Sequence, residues 1–239
     1  MSASYALSVG LGIVAAMLVA SRLPPDPAME PRVARAVRIA ALVGGVLGAY
    51  LFELPADVLG WAPPTPDGIA RLGGRTVLGG VLGGWIAVDV VKARLGFVLS
   101  TGDRFAAPLA VALSFGRLGC TLAGCCPGRV VDERSPFAFL SHALHQAPAR
   151  FPAAWAEACF HALAAMGLVA LVRVRALPRR HFALYCALYA LVRFGLEFLR
   201  DAPAPFAGLS YYQVLAVLLF VLAASRLARP PAPDAVVAT

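Results

Sequence analysis

Two arginines, Arg117 and Arg193, lie inside stretches otherwise apolar enough to cross a bilayer. A charge at membrane depth costs about 2.5–3.5 kcal/mol on insertion scales, so it persists where it lines a polar cavity or meets an anion. Both side chains are therefore expected to face a protein interior. Each has further chemistry beside it: Arg117 belongs to Gly116-Arg117-Leu118-Gly119-Cys120, and Arg193 precedes Glu197 by one helical turn, the spacing at which opposite charges meet on a helix face. The first of these blocks runs on through Gly124-Cys125-Cys126-Pro127-Gly128-Arg129. Guanidinium forks supply paired donors and glycines let backbone amides approach, a combination suited to phosphate. At that depth the natural ligand is a phosphate-bearing lipid headgroup. Pairing of Arg117 with an acid such as Glu157 is the other reading open to it.

The elements that must position these residues are helices in a membrane. The chain has 239 residues, 60% hydrophobic and 14% charged, with mean hydropathy +0.76; soluble domains carry about 25% charged residues. Seven segments approach the length needed to span the hydrocarbon as helices, roughly 5–21, 37–54, 76–91, 105–124, 153–172, 181–199 and 209–226. The third is short and glycine-rich, and a re-entrant course is its alternative. The expected fold is all-α and polytopic, one transmembrane helical domain over residues 1–229 followed by a disordered cytoplasmic tail over 230–239. The formal charge of +8 does not point to nucleic acid, because the basic residues cluster at the ends of apolar segments. With seven spans, thirteen Lys and Arg fall on one side, six on the other and two within the spans. The N-terminus is therefore expected outside and the C-terminus in the cytoplasm. The first segment is expected to be a retained helix, since its first basic residue, Arg22, follows the apolar run.

The glycines of Gly79-Gly80 and Gly83-Gly84 have two readings, close helix packing and a wall with room for lipid. Thr101 or Asp103 is expected to cap the start of the fourth span. Cys120, Cys125 and Cys126 are read either as small side chains filling space beside Arg117 or as reactive thiols near the headgroup. No metal is expected, because such a site wants about four ligands at recognisable spacing. His161 shares a helix face with Glu157, Asp89 is expected to pair with Lys92, and Trp61, Tyr211 and Tyr212 suit an interfacial aromatic belt. The segment from Pro127 to Phe151 is expected to lie on the membrane as a lid or arm.

Taken together, Gly116-Arg117-Leu118-Gly119 with Gly124 and Gly128-Arg129 resembles the signature of the prolipoprotein diacylglyceryl transferases. The likeness extends to Gly74-Arg75-Thr76-Val77-Leu78-Gly79-Gly80, Thr101-Gly102-Asp103, Arg150-Phe151-Pro152 with Glu157, and Arg193-Phe194-Gly195-Leu196-Glu197-Phe198-Leu199-Arg200. It implies a seven-helix enzyme of the bacterial inner membrane that moves a diacylglyceryl group from phosphatidylglycerol, or a related anionic phospholipid, onto the lipobox cysteine of a prolipoprotein signal peptide. It implies catalytic roles for Arg117, Arg193 and Glu197, and substrate-binding roles for Gly116, Gly119, Gly128, Arg129, Glu157, Gly79 and Gly80. No cofactor is expected. The chain departs from the family pattern where a histidine is replaced by Leu78, an asparagine by Cys120, a glutamate by Cys125, a second histidine by Phe151 and a glutamine by Ala154. A non-catalytic lipid-binding or lipid-transporting protein of the same fold is the alternative.

Overall fold

The computed structural model describes residues 3–24, 29–63, 75–126, 128–143 and 148–229. The tail expected at 230–239 lies outside them. The elements in chain order are α1 (Ala3–Arg22), α2 (Pro31–Leu51), α3 (Leu54–Leu59), α4 (Val77–Arg94), α5 (Asp103–Ala123), α6 (Pro136–Ala143), α7 (Ala153–Arg173), α8 (His181–Glu197) and α9 (Tyr211–Ala228). Among the described residues the β-structure is limited to two isolated bridges, Val130 with Arg150 and Phe206 with Leu209.

All seven expected segments are helical, and five helices are long and apolar enough to cross a membrane: Ala3–Arg22, Pro31–Leu59, Asp103–Ala123, Ala153–Arg173 and Tyr211–Ala228. α4 carries Asp89, Lys92 and Arg94 within its 18 residues, and α8 has 17 residues. α4 runs as one continuous helix rather than as a re-entrant pair. On α1, Leu7, Leu11, Val14 and Leu18 form an exposed stripe at helical spacing, a surface suited to acyl chains and costly in water.

The chain divides into two compact units, Met1–Leu23 with Gly102–Asp201 and Pro24–Thr101 with Ala202–Thr239. In the first, α5 packs against α1, α7 and α8, and α7 also packs on α8. Lipid tails give no hydrophobic drive for such packing, so small residues and interhelical hydrogen bonds carry it. Ser8 Oγ donates to Phe115 O at 2.7 Å and Ser114 Oγ to Ala158 O at 3.0 Å. Asp103 does not cap its own helix. Its carboxylate accepts from the Arg179 amide and, at 2.9 Å, from the His181 amide, so it holds the start of α8. The cap goes to a neighbouring helix because the first amides of α8 have no acceptor within their own helix, and Asp103 reaches them.

In the second unit α4 packs on α2 and α9. A Cβ built on Gly48 would lie 2.7 Å from Gly83 Cα, one on Gly83 2.5 Å from Gly44 O, and one on Gly79 2.7 Å from Gly48 O. The two backbones therefore meet where only glycine fits, which favours the packing reading of these glycines. Asp89 pairs with Arg226 of α9 at 2.6 Å, a contact between helices beyond the expected one along its own helix. Tyr211 and Tyr212 are hydrogen-bonded inside the unit, to Phe52 O at 2.7 Å and Glu53 Oε1 at 2.6 Å, and Trp61 packs on Phe206 and Tyr211. These rings thus tie α9 to the α2–α3 turn. α9 starts with a capping box in which Ser210 and Gln213 exchange side-chain and backbone hydrogen bonds.

Candidate active site

The first unit gathers its charges into one row. Arg117 stands in the fourth turn of α5, Glu157 near the start of α7, Arg193 and Glu197 in the last two turns of α8, and Arg200 just beyond it. Arg117 Nε lies 2.5 Å from Glu157 Oε2, and Arg193 Nε lies 3.5 Å from Glu157 Oε1. Arg193 also pairs with Glu197 one turn on, and Arg200 Nε lies 3.8 Å from the same carboxylate. The order along the row is arginine, glutamate, arginine, glutamate, arginine. The side chains of Glu157, Arg193 and Glu197 in its middle are 0%, 5% and 1% exposed, whereas Arg117 and Arg200 at its ends are 12% and 10% exposed.

Among the described residues the row sets three guanidinium groups against two carboxylates, a formal excess of one positive charge in a nearly dry site. Removing charges from water costs several kcal/mol per ion unless partners restore the balance. A monoanion held at the ends of the row would restore it, and a phosphodiester carries one such charge with oxygens that match paired N–H donors. Pairing with Glu157, one of the two alternatives for Arg117, is thus present, and the surplus charge persists beside it.

The sequence folds this way locally because one face of α8 repeats every four residues. His181, Tyr185, Tyr189, Arg193 and Glu197 follow at that interval and are all buried. Facing them on α7, Glu157 and His161 are likewise one turn apart and 0% exposed. His161 turns to α8: Tyr185 Oη lies 2.8 Å from its Nδ1, and the Tyr189 ring centroid is 4.8 Å away. Tyr185, Tyr189 and Arg200 were not among the expected site residues. The four-residue polar interval running back from Arg193, and the three-residue step from Glu197 to Arg200, are the sequence signals that point to them.

A clamp of backbone hydrogen bonds closes one end of the site. Gly128 N donates to Phe151 O at 3.0 Å, Arg129 N to Leu199 O at 2.9 Å, and Phe151 N to Arg129 O at 2.9 Å. Arg150 adds a bond to Gly128 O at 3.0 Å and an ion pair with Asp201 at 3.1 Å. A Cβ on Gly128 would collide with Phe151 O and lie 2.7 Å from Leu199 O. Gly128 is therefore needed for the approach of three chain segments, and its amide and that of Arg129 are already engaged by carbonyls. In this arrangement the two amides position chain segments against one another. The Arg129 side chain is exposed. Gly119 packs on Ser8 and Tyr5 of α1, while a Cβ on Gly116 would meet open space. Gly79 and Gly80 belong to the other unit, against α2.

Beyond the clamp the described part of the segment contains the short helix α6 (Pro136–Ala143). α6 packs Phe137 edge-on against Phe151 at 4.9 Å, and Ser141 Oγ accepts from Arg150 N at 2.9 Å. At the end of α5, Gly124 takes φ +64°, and Cys125 N returns to Cys120 O at 3.3 Å. This reversal brings the sulfurs of Cys120, Cys125 and Cys126 to within 4.8 Å of one another. Cys126 is also in electrostatic reach of both Arg117 and Arg200.

Comparison with known proteins agrees with this geometry. The family model for prolipoprotein diacylglyceryl transferase matches residues 2–229. The phosphatidylglycerol–prolipoprotein diacylglyceryl transferase of Clostridium tetani is 30% identical over 208 residues, covering 83% of this chain and 81% of that protein. The protein named as number 2 of that type in Clostridium perfringens is 25% identical over 227 residues, covering 91% and 87%. One from Janthinobacterium is 31% identical over 190 residues, covering 77% and 71%. With the arginines, the acids and the glycine clamp of its signature blocks assembled in one helical unit, this chain belongs to the prolipoprotein diacylglyceryl transferase family.

Proposed function

We propose that this protein transfers the diacylglyceryl group of phosphatidylglycerol to the lipobox cysteine thiol of a prolipoprotein, as a multi-pass enzyme of the bacterial inner membrane with seven spans, its N-terminus outside and its C-terminus cytoplasmic. The observation that carries the reading is the surplus positive charge of the row Arg117, Glu157, Arg193, Glu197, Arg200. In the transfer a sulfur–carbon bond forms at the glyceryl carbon as its bond to the phosphate oxygen breaks. The thiol proton is lost to solvent and glycerol 1-phosphate departs with the bonding electron pair. Phosphate charge grows from one toward two in that step, so cations fixed in place beforehand stabilise the transition state more than the bound lipid.

The roles divide along the row. Arg117 and Arg200 meet the phosphate from the ends of the row, Arg193 adds its fixed central charge to the field that meets the developing one, and Glu157 fixes the guanidiniums of Arg117 and Arg193 relative to each other. Glu197 orients Arg193. Gly116 leaves open space beside Arg117, and Gly128 secures the clamp that sets the position of Arg200. Gly79 and Gly80 serve helix packing. With Leu78 and Phe151 in place of the family's histidines, deprotonation of the incoming thiol rests on the cationic field, which favours the thiolate.

The test is purified protein in phosphatidylglycerol nanodiscs supplied with a lipobox peptide. Peptide mass is expected to rise by one diacylglyceryl group with matching release of glycerol phosphate, and Arg117→Ala or Arg193→Ala is expected to abolish both. Lipid binding that persists without any peptide modification assigns the protein to the non-catalytic alternative.

A further inference from the structure

The transfer chemistry leaves three thiols beside the row without a task. They come from a short stretch, Cys120 in the last turn of α5 and Cys125-Cys126 just past Gly124, and their sulfurs are mutually within 4.8 Å. The Cys125 and Cys126 sulfurs are 3.9 Å apart. A metal bound by thiolates at about 2.3 Å needs sulfurs roughly 3.8–4.0 Å from one another in tetrahedral or trigonal arrangement. The Cys125 and Cys126 sulfurs therefore already stand at coordination distance, and that of Cys120, within 4.8 Å of both, joins them by a small shift. Adjacent cysteines pair into a disulfide only with strain, whereas a shared metal asks nothing unusual of them.

From this we infer that Cys120, Cys125 and Cys126 form a three-thiolate site for a soft d10 metal ion, copper(I) or zinc(II). Thiolate sulfur selects these ions over hard cations. The end of α5 offers a second favourable feature, since the partial negative charge at a helix C-terminus attracts a cation. The thiol protons leave for solvent when the metal enters. Cys125 is exposed and Cys120 and Cys126 half-buried, so an ion has a path in and out. Three protein ligands leave a coordination position open, the pattern of an exchangeable rather than a closed structural site.

This inference stands apart from the transfer reading, and its test reads metal directly. The full-length protein, purified in detergent under reducing, anaerobic conditions, is titrated with copper(I) against a chromophoric chelator and with zinc(II) against a second one. Bound metal is counted by mass spectrometry, and its first-shell scatterers are identified by X-ray absorption. One equivalent of at least one of the two ions is expected, with sulfur neighbours at about 2.3 Å. Cys120→Ser, Cys125→Ser and Cys126→Ser are each expected to weaken binding by more than about 100-fold, since even outer-sphere partners are worth 10–100-fold. Cys159→Ser, a thiol elsewhere on α7, is expected to bind as the native protein does. All variants are checked for native elution and thermal unfolding, so that loss of metal is separated from loss of fold. Substoichiometric metal removed by a weak chelator, or affinity unchanged in Cys120→Ser and Cys126→Ser, overturns the site.

Discussion

The pairing of Arg117 with Glu157 is open to a double-mutant cycle whose outcome follows from counting charges. Arg117→Gln leaves Glu157, which is 0% exposed, with Arg193 at 3.5 Å as its nearest remaining cation. Removing one partner of a buried pair costs about 3–5 kcal/mol, because the other charge stays buried. For a chain of this size 1 kcal/mol corresponds to about 2–4 °C in Tm, so melting is expected to fall by roughly 6–20 °C. Adding Glu157→Gln removes the stranded carboxylate, and the double variant is expected to regain about 2 kcal/mol or more. Lipid binding follows the same count. The native row carries one surplus positive charge, Arg117→Gln carries none, and the double variant carries one again. A full charge about 4 Å from phosphate is worth about 4 kcal/mol at the effective dielectric of such sites, up to about 1,000-fold in affinity. Phosphatidylglycerol affinity, read by native mass spectrometry, is thus expected to collapse in the single variant and return in part in the double. Transfer to a lipobox peptide is expected to stay lost in both, since Arg117 itself meets the developing charge. Additive effects on Tm, with a coupling below about 0.5 kcal/mol, refute the buried pairing. Affinity that tracks Arg117 alone, indifferent to Glu157, refutes the surplus-charge argument.

Three further outcomes are expected. Arg200→Gln removes the surplus charge while leaving the Arg117–Glu157 and Arg193–Glu197 pairs intact, so lipid affinity should fall at least tenfold with little change in Tm, and an unchanged affinity excludes Arg200 from the anion site. Gly128→Ala drives a methyl group into two backbone carbonyls, a steric insult of about 1–3 kcal/mol, and should lower both Tm and transfer; native behaviour in both assays would show that the clamp yields freely. Asp103→Ala strips the acceptor from two amides at the start of α8, for about 1–2 kcal/mol by analogy with helix caps, and hydrogen exchange at Arg179 and His181 should rise; protection equal to native would disprove the cap.

The helices were legible because lipid imposes a length and a composition that any reader of the chain can count. Arg117 and Arg193 stood out for the same reason, each being a charge where solvation is expensive. What the sequence left open was every contact that crosses between helices. Asp103 has an unremarkable position for capping α5, and nothing local says that its carboxylate instead reaches the amides of α8. Asp89 has Lys92 one turn away, and that spacing gives no sign of its pairing with Arg226, 137 residues on. Gly128 reads as a phosphate-loop glycine until the carbonyls of Phe151 and Leu199 are seen against it. In each case local spacing admits several partners and packing chooses one. The three thiols show the same limit: C-x4-C-C matches no familiar ligand spacing, and only the left-handed turn at Gly124 folds the three sulfurs together.

The alternation of signs along the row also explains why an enzyme of this kind tolerates five charges in an apolar helical unit. Each glutamate lies between two arginines, and the middle arginine lies between two glutamates, so the central three are locked and almost fully buried. The terminal arginines each have one carboxylate and retain some exposure. Ions at the ends of an alternating row are the ones with donor capacity left for a ligand, and both ends are cationic. An anionic headgroup that reaches them extends the alternation instead of breaking it. The rigid centre costs no reorganisation as the ligand's charge grows, which is the condition for electrostatic stabilisation of a transition state. A row of two arginines and two glutamates would be equally buried and electrically neutral, and it would have no reason to hold a phosphate.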